Sequence, residues 1–162
     1  MKLIRVHIVS ARSCGGLLDG LDVRFRGSAS AVGAVFEPVC LIGPNGAGKS
    51  QFIQVVAEAF QSLFHAVAPN EERDECNADL QFEVEYLIYS GERFSPTHVK
   101  ATRLAKGNRR PAVKIERRSE DEWLDCPLDA PDIVSLLPAK VIGYTSGANE
   151  TLSLPFLVSR AG

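Results

Sequence analysis

A glycine-rich stretch at residues 43–50, GPNGAGKS, sets the strongest limit on how this chain of 162 residues folds. It matches the pattern G-x-x-x-x-G-K-[ST], in which the backbone N–H groups of a loop surround the phosphates of a nucleotide. Its three glycines allow conformations that are closed to other residues and a close approach to phosphate without a Cβ clash. The pattern therefore predicts a strand that ends at Ile42, an anion-binding loop, and a helix that begins at Lys49.

The same stretch assigns a chemical role to individual side chains. Lys49 is the predicted catalytic residue, because its ammonium group is a point charge for the β- and γ-phosphates. The hydroxyl of Ser50 is the predicted Mg²⁺ ligand, with water and phosphate oxygens completing the octahedron. ATP and Mg²⁺ are therefore the predicted cofactors. The predicted nucleotide-binding residues of this segment are Gly43, Pro44, Asn45, Gly46, Ala47, Gly48, Lys49, Ser50 and Gln51.

Hydrophobic periodicity predicts one long helix and several strands around this loop. Residues 49–67 carry apolar side chains at helical spacing, and Pro69 ends the pattern. The apolar segment 35–42 predicts a central strand that is buried on both faces. The predicted fold class is α/β, with a mixed sheet that is antiparallel at the N-terminus and in the middle. Strands are predicted at residues 3–8, 21–25, 35–42, 80–89, 98–104, 112–117 and 140–144.

The composition is typical of one globular domain that spans residues 1–162, with 45% apolar and 23% charged residues. The four cysteines show no C-x-x-C spacing, which is typical of reduced thiols in a cytosolic protein. The sequence contains no apolar run of about 18 residues or more, the length that a membrane-spanning helix needs. We therefore expect a cytoplasmic protein with no membrane partner.

The charged residues fall into three blocks, although the net charge of the chain is only −2. Residues 71–92 hold eight acids and one base, residues 93–118 hold nine bases and one acid, and residues 119–132 hold six acids and no base. The basic block has two interpretations. It is either a footprint for nucleic acid, or a set of cross-strand partners for Glu83 and Glu85. The flanking acidic blocks favour cross-strand pairing, with Lys100 and Lys114 as the expected partners.

The loop and its surroundings resemble a known family of ATPases. GPNGAGKS, with Pro-Asn-Gly inside it, resembles the ATP-binding-cassette branch of P-loop NTPases. A strand that ends in Arg12-Ser13, a second strand and then the Walker A loop resemble the heads of SMC/RecF/OLD-like ATPases. The resemblance implies an ABC/SMC-like P-loop NTPase fold with a Walker A helix, in which Arg12 and Ser13 also contact the nucleotide. LPAKVIGYTSGANETLSLPF, at residues 137–156, resembles restriction-system-associated AAA-family ATPases.

That family needs two further motifs, and no segment of the chain fits them. A Walker B strand would carry an Asp for Mg²⁺ and a Glu for water. An LSGG-type signature has only a faint echo in SGANE, residues 146–150, where Pro155 would break the helix. We therefore expect the N-terminal lobe of a larger head, with ATPase activity near background in this chain.

The resemblance also implies partners for the complete protein. They are ATP, a second copy in a homodimer of heads, and DNA with a nuclease or restriction partner in phage defence. One alternative is a DNA repair or recombination ATPase of the RecF/SMC type. Another alternative, of a different class, is an assembly module that binds a nucleotide without hydrolysing it.

Overall fold

The computed structural model of the chain describes residues 1–25, 38–68, 77–89 and 96–142, which form one six-stranded sheet and one α-helix. The strands follow the order β2-β1-β3-β4-β5-β6, and every neighbouring pair is antiparallel. The elements are β1 (Lys2–Ser10), β2 (Leu21–Arg24), α1 (Lys49–Val67), β3 (Gln81–Ile88), β4 (Thr97–Leu104), β5 (Ala112–Ser119) and β6 (Glu122–Cys126), with short 3₁₀ helices at Arg12–Cys14 and Ile133–Leu136.

The sheet has one apolar face and one charged face, because its strands alternate apolar and polar residues. Val6 lies opposite Val84 of β3, and both are buried. The next pair, His7 and Glu83, is half-buried on the other side of the sheet. We call the apolar side the inner face and the charged side the outer face. This alternation is typical of an antiparallel sheet with one solvated side.

Helix α1 covers the inner face of the sheet. Its apolar stripe packs against the strands, and the ring of Phe60 lies 5.5 Å from the ring of Tyr86 of β3. Each fully buried side chain of this kind contributes about 1.5–3 kcal/mol through the area it removes from water. The helix ends where the N–H of Ala68 donates to the carbonyl of Phe64. The residues of α1 in the core are Phe52, Val55, Ala59, Phe60 and Leu63.

The helices of the described segments include none that is long and apolar enough to span a membrane.

The predicted P-loop NTPase fold, with its mixed α/β sheet, is wrong. The described sheet is antiparallel throughout and has one helix, whereas such a fold needs a parallel sheet flanked by several helices. The physical reason lies in the strands themselves. Parallel strands are buried on both faces and need a crossover between neighbours, whereas these strands keep charged residues on the outer face and β3 to β6 follow one another as neighbours.

Most of the individual elements were predicted correctly. The helix at residues 49–67 is confirmed as α1, and the N-terminal hairpin is confirmed as β1 paired with β2. The strands predicted at residues 80–89, 98–104 and 112–117 are confirmed as β3, β4 and β5. Local periodicity therefore identified these elements although the fold class was wrong.

Two predicted strands do not form in the described residues. Residues 38–42 have no regular structure, and the side chain of Ile42 is 94% exposed instead of buried in a central strand. Residues 140–142 are also irregular. The remaining parts of these predictions, residues 35–37 and 143–144, lie outside the described residues, as does the segment 145–156. In contrast, β6 was missed, because its sequence EWLDC is acidic and lacks a strand's apolar alternation.

Candidate functional site

The loop at residues 43–50 turns the chain into α1 through two glycines with left-handed backbones. Gly46 has φ of 82° and Gly48 has φ of 81°, a region that side-chain-bearing residues rarely adopt. Between them, the N–H of Ala47 donates to the carbonyl of Pro44 over 3.3 Å, and this bond tightens the turn. The carbonyl of Gly48 then accepts from the N–H of Phe52 at 2.8 Å, which is the first bond of the helix. Gly46 and Gly48 are therefore required by the turn itself.

Lys49 folds back across the loop that precedes it. Its Nζ donates to the carbonyl oxygen of Gly43 at 2.8 Å and to that of Pro44 at 2.7 Å. These bonds hold the ammonium group against the backbone of the loop instead of letting it extend into solvent. The structure therefore places one positive charge at the loop, and the role of Lys49 toward a nucleotide stays a prediction.

The N-terminus of α1 adds a second positive contribution. Gly48 is the N-cap residue and offers no side chain to cap the helix, and the first turn contains no acidic residue. The first N–H groups of a helix lack intrahelical partners and form the positive end of the helix dipole. The loop residues 43–47 are exposed, as is Ser50. Solvent-borne anions can therefore reach this loop.

The predicted group of binding residues is only partly brought together. Arg12 lies 3.5 Å from Asp79 in an exposed ion pair, and Ser13 donates to Glu58 at 3.2 Å. Glu58 is nine residues beyond Lys49 on α1, about 13 Å along the helix axis. The described contacts of Arg12 and Ser13 therefore lie away from the loop, and their predicted contact with a nucleotide stays a prediction.

The leucines that follow the Arg12–Cys14 turn are the residues that reach the loop. A Cβ atom placed on Gly48 would lie 3.4 Å from Leu18 Cδ2 and 3.5 Å from both Leu17 Cδ2 and Gln51 Oε1. Leu18 is buried, whereas the side chain of Leu17 is 60% exposed. The wall beside the loop is therefore apolar on the side of the β1–β2 connection. The sequence motif gave no sign of this contact.

Glu58 is a buried polar residue that the sequence analysis missed. Its carboxylate accepts from Gln54 Nε2 at 2.8 Å, from Ser13 Oγ at 3.2 Å and from Asn77 Nδ2 at 3.2 Å. A buried polar group needs such partners. The i, i+4 spacing of Gln54 and Glu58 was the available signal. These bonds join α1, the Arg12–Cys14 turn and the entrance to β3, so the role of Glu58 is structural.

Metal ligands for Mg²⁺ are sparse at the loop. Ser50 supplies an exposed hydroxyl, and no group of three or more His, Cys, Asp or Glu side chains in the described segments has a geometry that could hold a metal ion. Mg²⁺ keeps several waters and is commonly bound through few protein ligands and the phosphates of a substrate. Ser50 therefore fits a Mg²⁺ ion that is held mainly by phosphate.

Cross-strand ion pairs occupy the outer face, although not between the predicted partners. Lys100 and Lys114 both contact Glu116 of β5, with N–O distances of 2.9 Å and 2.8 Å. Burial acts to raise the pKa of Glu116, but the hydrogen bonds that Lys114 and Lys100 donate to it outweigh burial. The pKa of Glu116 is therefore lowered. Glu83 and Glu85 are instead paired with β1 and His98. Cross-strand pairing is confirmed for Lys100, which reaches Glu116 from β4, and for Lys114 through Asp125 of β6 at 3.7 Å, since Glu116 lies on the same strand as Lys114. The acids in these pairs differ from the predicted Glu83 and Glu85.

No protein-family model, no curated protein and no solved structure matches this chain, so the resemblance to SMC/RecF/OLD-like ATPase heads stays a prediction.

Proposed function

We propose that residues 43–50 and the N-terminus of α1 bind the phosphates of a nucleoside triphosphate, with ATP as the expected nucleotide. The observation that carries this proposal is the position of Lys49, whose Nζ is bonded to the carbonyls of Gly43 and Pro44. The loop, its cation and the uncapped helix N-terminus all favour an anion at one place. The proposal depends on these local features and not on the P-loop NTPase fold.

Each part of the loop has a separate task in this function. Lys49 exchanges its two carbonyl partners for phosphate oxygens, and hydrogen bonds between ionised groups are roughly twice as strong as neutral ones. Gly46 and Gly48 allow the backbone to approach the phosphates closely. Ser50 contributes its hydroxyl to a Mg²⁺ ion, which would supply further neutralisation of phosphate charge.

The Leu17 side chain lies beside the loop and is exposed, so it offers apolar surface next to the phosphates. We infer that this surface excludes water from one side of the bound phosphates and strengthens their electrostatic attraction to Lys49.

A second candidate function is a nucleotide-binding assembly module that does not hydrolyse ATP. It is favoured by Glu58, the buried carboxylate of α1. Because this carboxylate already accepts hydrogen bonds from three neutral side chains, it is not available as a general base for hydrolysis. A general base typically contributes a factor of about 10²–10⁴ to a rate. A phosphate-release assay separates the two functions. Turnover near one per second that Lys49→Ala abolishes would exclude the binding module.

Calorimetric titration with ATP·Mg²⁺ tests the proposed binding. We expect Lys49→Ala to lose about 1.5–3 kcal/mol of binding free energy, which is roughly a ten-fold or larger loss in affinity. Lys140→Ala is the matched control, because it removes the same charge from an exposed, irregular segment and should keep the wild-type affinity. Equal affinities for the wild type and Lys49→Ala would refute the proposal.

The remaining expectations for the complete protein depend on the resemblance alone. They include a homodimer of heads, a nuclease or restriction partner, and a role in phage defence or in DNA repair. They stay predictions.

A further inference from the structure

The turn between β4 and β5 carries three exposed cations, Lys106, Arg109 and Arg110. Within the described parts of the chain, their side chains make no ion pair and no hydrogen bond. We call these three residues the basic tip. A charge that has no intramolecular partner is available to a partner from solution.

The other bases of the 93–118 block that the structure describes have partners. Lys100 and Lys114 are paired with Glu116, and Arg103 is 3% exposed and donates to the carbonyls of Asn77 and Ala78. Arg117 lies 3.7 Å from Asp132, and Arg118 lies 3.3 Å from Asp121. Arg93 is outside the described residues. The described bases of the block therefore form two groups: those paired within the fold, and the three of the basic tip, which have no partner there.

The basic tip belongs to a hairpin whose turn has a defined backbone. Leu104 lies opposite Ala112 at the end of the β4–β5 ladder. Beyond this pair, the N–H of Arg109 donates to the carbonyl of Lys106 at 3.3 Å, and Gly107 takes a left-handed φ of 61°. The three cations are thus presented together at the end of a hydrogen-bonded hairpin, which limits the entropy lost when they bind a partner.

The basic tip lies at the opposite end of α1 from the loop at residues 43–50. Pro111 and Ala112, at the base of the tip, line the same cavity as His65 and Ala66 of α1. His65 is sixteen residues beyond Lys49, about 24 Å along the helix axis. The two cationic surfaces are therefore separate, and a substitution in one leaves the other intact.

We propose that the basic tip binds the phosphate backbone of nucleic acid. Lys and Arg are the usual phosphate partners, and backbone contacts position a protein without selecting a sequence. The large hydrophobic residues that are exposed in the described segments include none from the tip, so it offers no apolar anchor for a membrane and no ring for base stacking. Since the whole chain is acidic at −2, attraction of a polyanion is local to this hairpin.

The size of the tip sets the expected strength of binding. Three phosphate contacts release about three counterions, so the logarithm of the association constant should fall with the logarithm of salt concentration at a slope of about −2.7 at most. Nonspecific contacts of this kind have dissociation constants in the range of about 10⁻⁴–10⁻⁶ M. We therefore expect binding that is weak, independent of sequence and sharply dependent on salt.

Fluorescence anisotropy with a labelled duplex DNA tests the proposal. The test variant carries Lys106→Gln, Arg109→Gln and Arg110→Gln. The matched control carries Lys114→Gln, Arg117→Gln and Arg118→Gln, which removes the same charge from paired bases of β5. At low salt we expect the test variant to lose about ten-fold or more in affinity and most of its salt slope, and the control to keep both.

Several outcomes would overturn this proposal. They are no DNA binding by the wild type at low salt, an equal loss in both triple variants, or binding to vesicles that contain phosphatidylserine without binding to DNA. Circular dichroism of both triple variants verifies that they are folded. Lys49→Ala should retain DNA binding in full, so the proposal survives even where the nucleotide-binding function fails.

Discussion

The side chain of Glu58 joins three parts of the chain through one buried carboxylate. It is 5% exposed and bonded to Gln54, Ser13 and Asn77. Of its three donors, Gln54 is buried, Asn77 is half-buried and Ser13 is exposed, so the cost of about 1–3 kcal/mol for a buried donor without its acceptor applies to Gln54. The stability of the helix that carries Lys49 therefore depends on a residue well away from the loop.

We expect Glu58→Ala to lower the free energy of unfolding by about 1–3 kcal/mol, because it leaves the buried amide of Gln54 without its acceptor. Ser13→Ala removes one donor from an exposed residue and should cost about 0.5 kcal/mol or less, since Gln54 and Asn77 still donate to Glu58. Urea denaturation of the two variants and the wild type measures both values. A Glu58→Ala protein as stable as the wild type would show that water replaces the carboxylate at no cost.

Glu85 on the outer face makes the stability of the fold depend on pH. Its Oε2 lies 3.2 Å from His98 Nε2, and its Oε1 lies 3.6 Å from Arg5 Nη1. The hydrogen bond with His98 is the largest cause that lowers the pKa of Glu85, and the charges of His98 and Arg5 act in the same direction, against the effect of burial. A carboxyl with a lowered pKa in the folded state stabilises the fold when it is ionised.

This contribution is fully present above the ordinary pKa of 4.5 and is lost as the pH falls through the lowered pKa of Glu85. We therefore expect the free energy of unfolding of the wild type to fall as the pH is lowered from about 5 to about 3, and Glu85→Gln to show a shallower decrease. Trp123, the only tryptophan of the chain, contacts His98 and reports unfolding by fluorescence. Identical pH slopes for both proteins would contradict the assignment.

Helix α1 is the element on which the inner face of the sheet depends. Phe60 is 1% exposed and packs on Tyr86, whereas Ile53 on the same helix is 48% exposed. The Tyr86 hydroxyl in turn donates to the carbonyl of Leu136 at 2.8 Å and fixes the 3₁₀ helix against the core. Burial raises the pKa of Tyr86, so this hydroxyl keeps its proton to donate.

We expect Phe60→Ala to lower the free energy of unfolding by about 3–5 kcal/mol, since it removes buried area and leaves a cavity beneath the sheet. Ile53→Ala is the control on the exposed side of α1 and should change the same quantity by about 0.5 kcal/mol or less. Thermal unfolding followed by circular dichroism provides the comparison. Similar effects of the two substitutions would mean that α1 does not pack through Phe60.

The elements of this fold were predictable where the sequence alternates or repeats locally. Glu83 and Glu85 alternate with apolar residues and identify β3, and the helical repeat that contains Phe60 identifies α1. The direction and partner of each strand were not predictable in this way, because β1 pairs with β3 across more than 70 residues and no local pattern encodes such a partner. A short apolar run such as 39–42 fits a strand as well as an exposed connection, and here Ile42 is exposed.

At the scale of the molecule, the described residues present two cationic surfaces at opposite ends of α1. Lys49 was predictable, because the glycines of its loop leave a pattern in the sequence. The basic tip was not, since its three cations are distinguished from Lys100 or Arg103 only by the absence of partners in the described structure. Which member of a charged block is neutralised depends on strand register, and register is set by tertiary pairing.

Because ATP is itself a polyanion, both surfaces attract it, and we expect it to bind at the loop of residues 43–50. A titration of the ¹⁵N-labelled protein with ATP·Mg²⁺, followed by backbone amide chemical shifts, tests this most directly. We expect the largest shifts at Gly46, Gly48, Lys49 and Ser50, which belong to the proposed phosphate-binding loop, and little change at the basic tip. Largest shifts at residues 106–110, or no saturable shifts at residues 43–50, would contradict the central claim that this loop binds a nucleoside triphosphate.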